Sequence, residues 1–146
     1  MQDSIHCVVL TLFDGEFDFL KSVLRFAGMY MHRAESLEQA DFLLMVTEST
    51  VLLSDVALAD CSWRSVAQRL NSFHPLVPML LIADPVDEPF VQDAYSLGVC
   101  GVLWKPIQFD AATRLIRTVA EASRERSLRR AARQTAQMGV QCPITD

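Results

Sequence analysis

The chain has 146 residues, 51% of them hydrophobic and 21% charged, with 13 Lys and Arg against 18 Asp and Glu for a formal charge of −5. Those figures describe one domain of common size that buries about two thirds of the surface its unfolded form exposes, and they exclude disorder and collagen-like repeats. The longest apolar runs, residues 7–13 and 79–83, stop at Asp14 and Asp84, well short of the ~18 residues of a membrane span, and no basic group precedes the first of them as in a secretory signal, so a cytoplasmic protein is expected.

Residues 7–13 are a continuous apolar run rich in Val and Leu, the pattern of a strand covered on both faces. Over residues 17–27, Leu20, Val23, Leu24 and Ala27 recur at i, i+3, i+4 and i+7, predicting a helix that Gly28 terminates. Residues 29–34 supply a second strand. Ser36 opens Ser-Leu-Glu-Gln, a capping box for a helix to about Thr47 with Leu37, Ala40 and Leu44 on one face. A third apolar run, residues 50–53, ends at Ser54-Asp55.

The second half repeats the rhythm. Residues 62–73 place Val66, Leu70 and Phe73 on a helical stripe, and Pro75 and Pro78 precede a fourth strand at residues 79–82. A loop rich in Pro and Asp, residues 84–89, leads to a short helix with Val91, Ala94 and Leu97 aligned before Gly98. Residues 99–104 form the fifth strand, closed by Lys105-Pro106. Asp110 caps a last helix whose inner face is Leu115, Val119 and Ala122 and whose helical character runs to about Met138. Five strands alternating with five helices predict a parallel sheet with helices on both faces and right-handed crossovers. Chemistry in such folds gathers outside the carboxyl ends of the strands.

The four cysteines, at positions 7, 61, 100 and 142, form no CxxC pair and stand at no zinc-ligand spacing from His6, His32 or His74, so neither a zinc site nor a disulfide framework is expected. Charge is uneven. Residues 1–109 hold six Lys and Arg against fourteen Asp and Glu, a net −8, while residues 110–146 hold seven Arg against four acids, a net +3. An acidic body argues against nucleic acid as the main ligand, because neutralising phosphates needs clustered cations.

The strand ends carry Thr11 to Asp14, Ser54-Asp55, Ala83-Asp84 and Lys105-Pro106, so an Asp closing one strand and a Lys closing another converge on one small site. The order Val-Leu-Leu-Ser-Asp55-Val-Ala-Leu-Ala-Asp60, then Pro78-Met-Leu-Leu-Ile-Ala83, then Ala94-Tyr-Ser-Leu-Gly98-Val-Cys-Gly101-Val-Leu-Trp-Lys105-Pro106 resembles the receiver domain of bacterial two-component response regulators. The likeness covers about residues 5–123. It implies a flavodoxin-like, doubly wound, five-stranded parallel sheet in the order 2-1-3-4-5 with five helices, the last of them extended.

The same resemblance implies that Asp55 accepts a phosphoryl group from a sensor histidine kinase or phosphotransfer protein, that the Lys105 ammonium binds the phosphoryl oxygens, and that the bond to Pro106 is cis. A carboxylate can attack phosphorus only where the charge gathering on the transferred oxygens is compensated by a divalent cation and a fixed ammonium. The ion implied is Mg²⁺, which keeps several waters and takes few carboxylates. Asp55, the backbone carbonyl of Ala57 and, as a weak candidate, Asp14 are its expected ligands.

Several positions depart from the family pattern. Receivers end their first strand with two adjacent acids, whereas aligning backward from Gly28 puts Thr11 and Leu12 there; a local shift brings Asp14 or Glu16 toward the site, against the alternative that Asp14 caps the helix. Ala83 stands where a Thr or Ser hydroxyl normally bonds the phosphoryl group, and Val102 replaces the aromatic residue that moves with it. Trp63, where Gly is common, is expected to crowd the loop beside Asp55.

Residues 124–146 lie beyond the receiver-like part as an Arg-rich helical extension whose end, residues 139–146, is expected to be disordered. Leu128, Ala132 and Met138 make too thin a stripe for a coiled coil. A solvated helix or a linker is the plain reading, with a homodimer contact or docking of the arginines onto an acidic partner as alternatives. No helix-turn-helix or catalytic output segment fits in this stretch, so the chain is expected to be no enzyme and to act on a downstream protein target. Two readings lead: a receiver phosphorylated on Asp55, and a pseudo-receiver that binds its partner without phosphate. A flavodoxin-like enzyme or nucleotide binder ranks below both, since the loop after the first strand lacks the Ser, Thr and Gly of a phosphate cradle and neither GxGxxG nor GxxxxGK[ST] occurs.

Overall fold

Five runs of aliphatic and β-branched residues form β1 (Ile5–Leu10), β2 (Met29–Ala34), β3 (Val51–Asp55), β4 (Met79–Ala83) and β5 (Val99–Trp104). In the computed structural model, which describes residues 4–59 and 61–139, they pair in parallel in the order β2-β1-β3-β4-β5. This is the doubly wound sheet that the alternating pattern predicts. Every residue of β3 and β4 is buried, because these central strands are covered by helices on both faces and so carry continuous apolar runs.

The connections are α1 (Asp14–Leu24), α2 (Leu37–Val46), α3 (Trp63–Phe73), α4 (Glu88–Val91) and α5 (Phe109–Gly139). Alternation along each strand divides the interior into two layers. Cys7, Val9, Leu53, Leu80 and Ile82 face Leu20 and Leu24 of α1 and Ile116 of α5. Val8, Leu10, Leu52 and Leu81 face Ala40 and Leu44 of α2 and Val66 and Leu70 of α3. The sheet's carboxyl edge is thereby left between the two helical layers, where Thr11, Asp55 and Lys105 stand at the strand ends.

Several boundaries differ from those expected. The helix α1 starts at Asp14, earlier than residue 17, and its last turn, Arg25–Ala27, tightens to a 3-10 helix before Gly28 at φ +77°, a conformation that favours glycine. Ser36 caps α2 by accepting from the Gln39 N–H, but the Gln39 side chain turns back to the Glu35 N–H and leaves the capping box half made. Where one short helix is expected before β5, the chain forms a 3-10 turn at Pro85–Asp87, the single turn of α4 and another 3-10 turn at Tyr95–Leu97. Pro85 and Pro89 each remove a backbone donor. Val91 and Ala94 are nonetheless buried, as the expected stripe requires.

The last helix is rotated relative to expectation. Its buried stripe is Ala112, Ile116, Val119, Ala120 and Ser123, with Leu115 half-buried and Ala122 exposed. Asp110 lies in its first turn without capping it. Ser123 is the last buried residue among the described residues, and its hydroxyl donates to the Leu76 carbonyl. The helix then continues to Gly139, where the expectation of disorder over residues 139–146 begins, so that residue is helical instead, and residues 140–146 lie outside the described residues. Among the described residues no helix is long and apolar enough to cross a membrane.

Candidate functional site

Thr11 follows the last residue of β1 and is fully buried, and the Phe13 N–H donates to its Oγ1 at 3.1 Å as the chain turns into α1. Asp55 closes β3 with only 2% of its surface exposed. The Thr11 hydroxyl lies 2.6 Å from Asp55 Oδ2 and 3.1 Å from Glu16 Oε2. A hydroxyl has one proton, so it serves one carboxylate at a time, and Asp55 is the nearer.

Lys105 follows the last residue of β5 and completes the cluster. Its Nζ is 2.8 Å from Glu16 Oε1 and 3.2 Å from Asp55 Oδ1, and it stands 4.9 Å from the centre of the Phe13 ring. The Lys105 N–H donates to the Ala83 carbonyl at 2.8 Å, tying the end of β5 to that of β4. The Lys105–Pro106 peptide is cis.

Two carboxylates and one ammonium in a half-closed site leave an excess of negative charge. Burial, reinforced by the neighbouring Glu16, pushes the Asp55 carboxyl up to about 7, while Thr11 and Lys105 pull the other way. Burial also works against ionised Glu16, but hydrogen bonds from Asp55 and Lys105 and the lysine's charge outweigh it and hold Glu16 below its ordinary value. Lys105 is held above its ordinary value despite burial, by its hydrogen bond to Glu16 and by both carboxylate charges. The two carboxyls are thus pushed in opposite directions, Asp55 toward its neutral form and Glu16 toward the charged form that faces the lysine.

The expected residues fall into place unevenly. Asp55 and Lys105 meet as the strand ends imply. Asp14 does not join them: its carboxylate is 82% exposed and pairs with the Arg33 guanidinium. Glu16 takes the place assigned to Asp14, because two residues along a helix turn a side chain by about 200° and only one of the pair can face the sheet. Glu16 lies one turn before the buried Leu20, and that spacing is the signal for it in the sequence. Thr11, standing where an acid is usual, becomes the hydroxyl that holds Asp55.

Ala83 is buried and offers no hydroxyl. Val102 is half-buried against the layer formed by α2 and α3. Trp63, expected to crowd the loop beside Asp55, starts α3 and buries its ring in that same layer, with the Arg64 guanidinium 4.5 Å from the ring centre. Ala57 is exposed in the loop after β3.

Among the described residues no group of three or more His, Cys, Asp and Glu is arranged for a metal ion. Mg²⁺ asks for less, since one or two carboxylates with waters are its usual protein share. Asp55 and Glu16 both have an oxygen in reach of the Thr11 hydroxyl, so the two carboxylates stand side by side at the strand ends. This donor set fits a hard divalent cation, with Glu16 in the role expected of Asp14.

No family model and no curated protein matches the chain. Solved structures do match it. The signal receiver domain of an HD domain-containing protein from Pseudomonas fluorescens Pf-5 is 18% identical with a TM-score of 0.79, the match covering 88% of this chain and 96% of that one. A response regulator receiver protein from Pseudomonas putida is 16% identical with a TM-score of 0.71, covering 81% and 99%. NtrX from Brucella abortus is 15% identical with a TM-score of 0.79, covering 90% of this chain but 30% of that longer one. The fold is the receiver fold of response regulators.

Proposed function

We propose that the chain is a receiver module of two-component signalling in which Asp55 accepts a phosphoryl group and the altered surface is read by a downstream protein. The observation that supports this most directly is the meeting of Asp55 and Lys105 at 3.2 Å on the carboxyl edge of the sheet. An Asp55 oxygen attacks phosphorus, the bond from phosphorus to the donor's histidine nitrogen breaks, and the electron pair leaves with the imidazole. Asp55 attacks as its carboxylate, any proton it holds passing first to solvent. Lys105 stays an ammonium throughout and turns from the carboxylates to the phosphoryl oxygens. Asp55, Glu16 and the carbonyl of Ala57 would hold Mg²⁺, which when bound supplies compensating positive charge at those oxygens.

A second reading, binding without phosphate, is favoured by Ala83 in place of a hydroxyl and by the near-complete burial of Asp55. Intact-protein mass spectrometry after incubation with a small-molecule phosphodonor and Mg²⁺ separates the two. Added phosphoryl mass that vanishes in Asp55→Asn supports phosphoryl acceptance. No added mass, under conditions that label an ordinary receiver, overturns it and leaves the phosphate-independent module.

A further inference from the structure

Beyond Ser123, α5 overhangs the amino-terminal end of the sheet and carries an organised set of charges. Arg126, Arg129, Arg130 and Arg133 recur at i, i+3, i+4 and i+7 and so share one face spanning about 100°. That face borders the loop between α3 and β4, and the four arginines together with Leu76 line a single groove. Among the described residues, Arg129 alone of the four is ion-paired, with Glu125 at 3.6 Å. Three guanidiniums therefore border an open groove with an aliphatic side chain in its wall.

Charge and shape narrow the occupant. A long polyanion such as a nucleic-acid duplex would run from the groove onto a body whose residues 1–109 carry a net −8. Pairing the same face of α5 with that of a second copy would set arginine against arginine. A short acidic peptide avoids both penalties, and guanidiniums bind carboxylates with charge-assisted, two-pronged hydrogen bonds. We propose that this groove docks a short acidic segment of a partner protein, its carboxylates on Arg126, Arg130 and Arg133 and one apolar side chain against Leu76. The groove lies at the opposite end of the sheet from Asp55 and does not depend on the chemistry proposed there.

The test is fluorescence anisotropy of the full chain with a labelled peptide of Glu and Asp bearing one central Leu, beside the same peptide with Ser for Leu and a duplex oligonucleotide of equal charge. Replacing Arg126, Arg130 and Arg133 together by Gln is expected to weaken the Leu peptide at least about tenfold. Replacing Lys21, Arg25 and Arg114 by Gln, which removes equal charge elsewhere, is expected to change it less than about threefold. Leu76→Ser lowers affinity for the Leu peptide to that of the Ser peptide, and Asp55→Asn binds as the parent does, so failure at Asp55 and failure here are told apart. Circular dichroism confirms that each variant keeps its helix. Equal losses in both charge variants, tighter binding of the duplex, or self-association abolished by the groove variant would each overturn the proposal.

Discussion

Replacing Asp55 by Asn keeps the shape of the side chain and removes its titration, which makes it a direct probe of the charge balance at the sheet edge. In the folded chain the Asp55 carboxyl sits at about 7 against an ordinary value of 3.8. A carboxyl raised by folding contributes stability that is fully present below its unfolded value and is lost as pH rises through its folded value. At 1.36 kcal/mol per unit, the parent is expected to lose about 2–3 kcal/mol of stability between pH 5 and pH 8 that Asp55→Asn does not lose. Glu16 shifts in the opposite direction, and its contribution changes only at more acid pH, so it leaves this window clear. Urea unfolding followed by far-ultraviolet circular dichroism reads the difference as a shift in midpoint of about 1 M. Parallel pH profiles for the two proteins would refute the upward shift of the Asp55 carboxyl.

Glu16→Gln removes the neighbouring negative charge, so the Asp55 carboxyl resonance in a carbon-13 NMR titration is expected to shift its midpoint down from about 7; an unchanged or higher midpoint would contradict the pairing. Leu80→Ala empties a fully buried site on the central strand β4 and is expected to cost about 2–5 kcal/mol in urea unfolding. Gly98→Ala places a Cβ 3.1 Å from Asn71 Oδ1 at a residue with φ +98°, and the melting temperature is expected to fall by about 3–5 °C. An unaltered melting temperature would mean that the turn before β5 relaxes freely.

The sheet and the Asp55–Lys105 pair were legible because both follow from short-range pattern: continuous apolar runs name the buried strands, and parallel strands end on the same edge. What escaped was phase. A helix starting three residues earlier than expected presents Glu16 instead of Asp14, and Arg33, from the neighbouring β2, decides which carboxylate turns away. In α5 the stripe through Leu115 and the stripe through Ile116 are both apolar, and the sheet selects Ile116. The segment between β4 and β5 reads as one helix by its spacing of Val91, Ala94 and Leu97, yet its prolines divide it into single turns. Thr11 carried no acidic signal at all, and only its contact with Asp55 shows its part.

Residues 109–123 of α5 lie on the sheet and residues 124–139 continue the same helix past it without a break. Sixteen residues at 1.5 Å each extend about 24 Å. A rotation of about 5° about Ser123 would carry the far tip about 2 Å, while Val119, about 6 Å inside the pivot, moved by roughly 0.5 Å. A rod of this length, tied to the sheet at its middle by the hydrogen bond of Ser123 to Leu76, converts an angular change in its seated half into a translation of its far end.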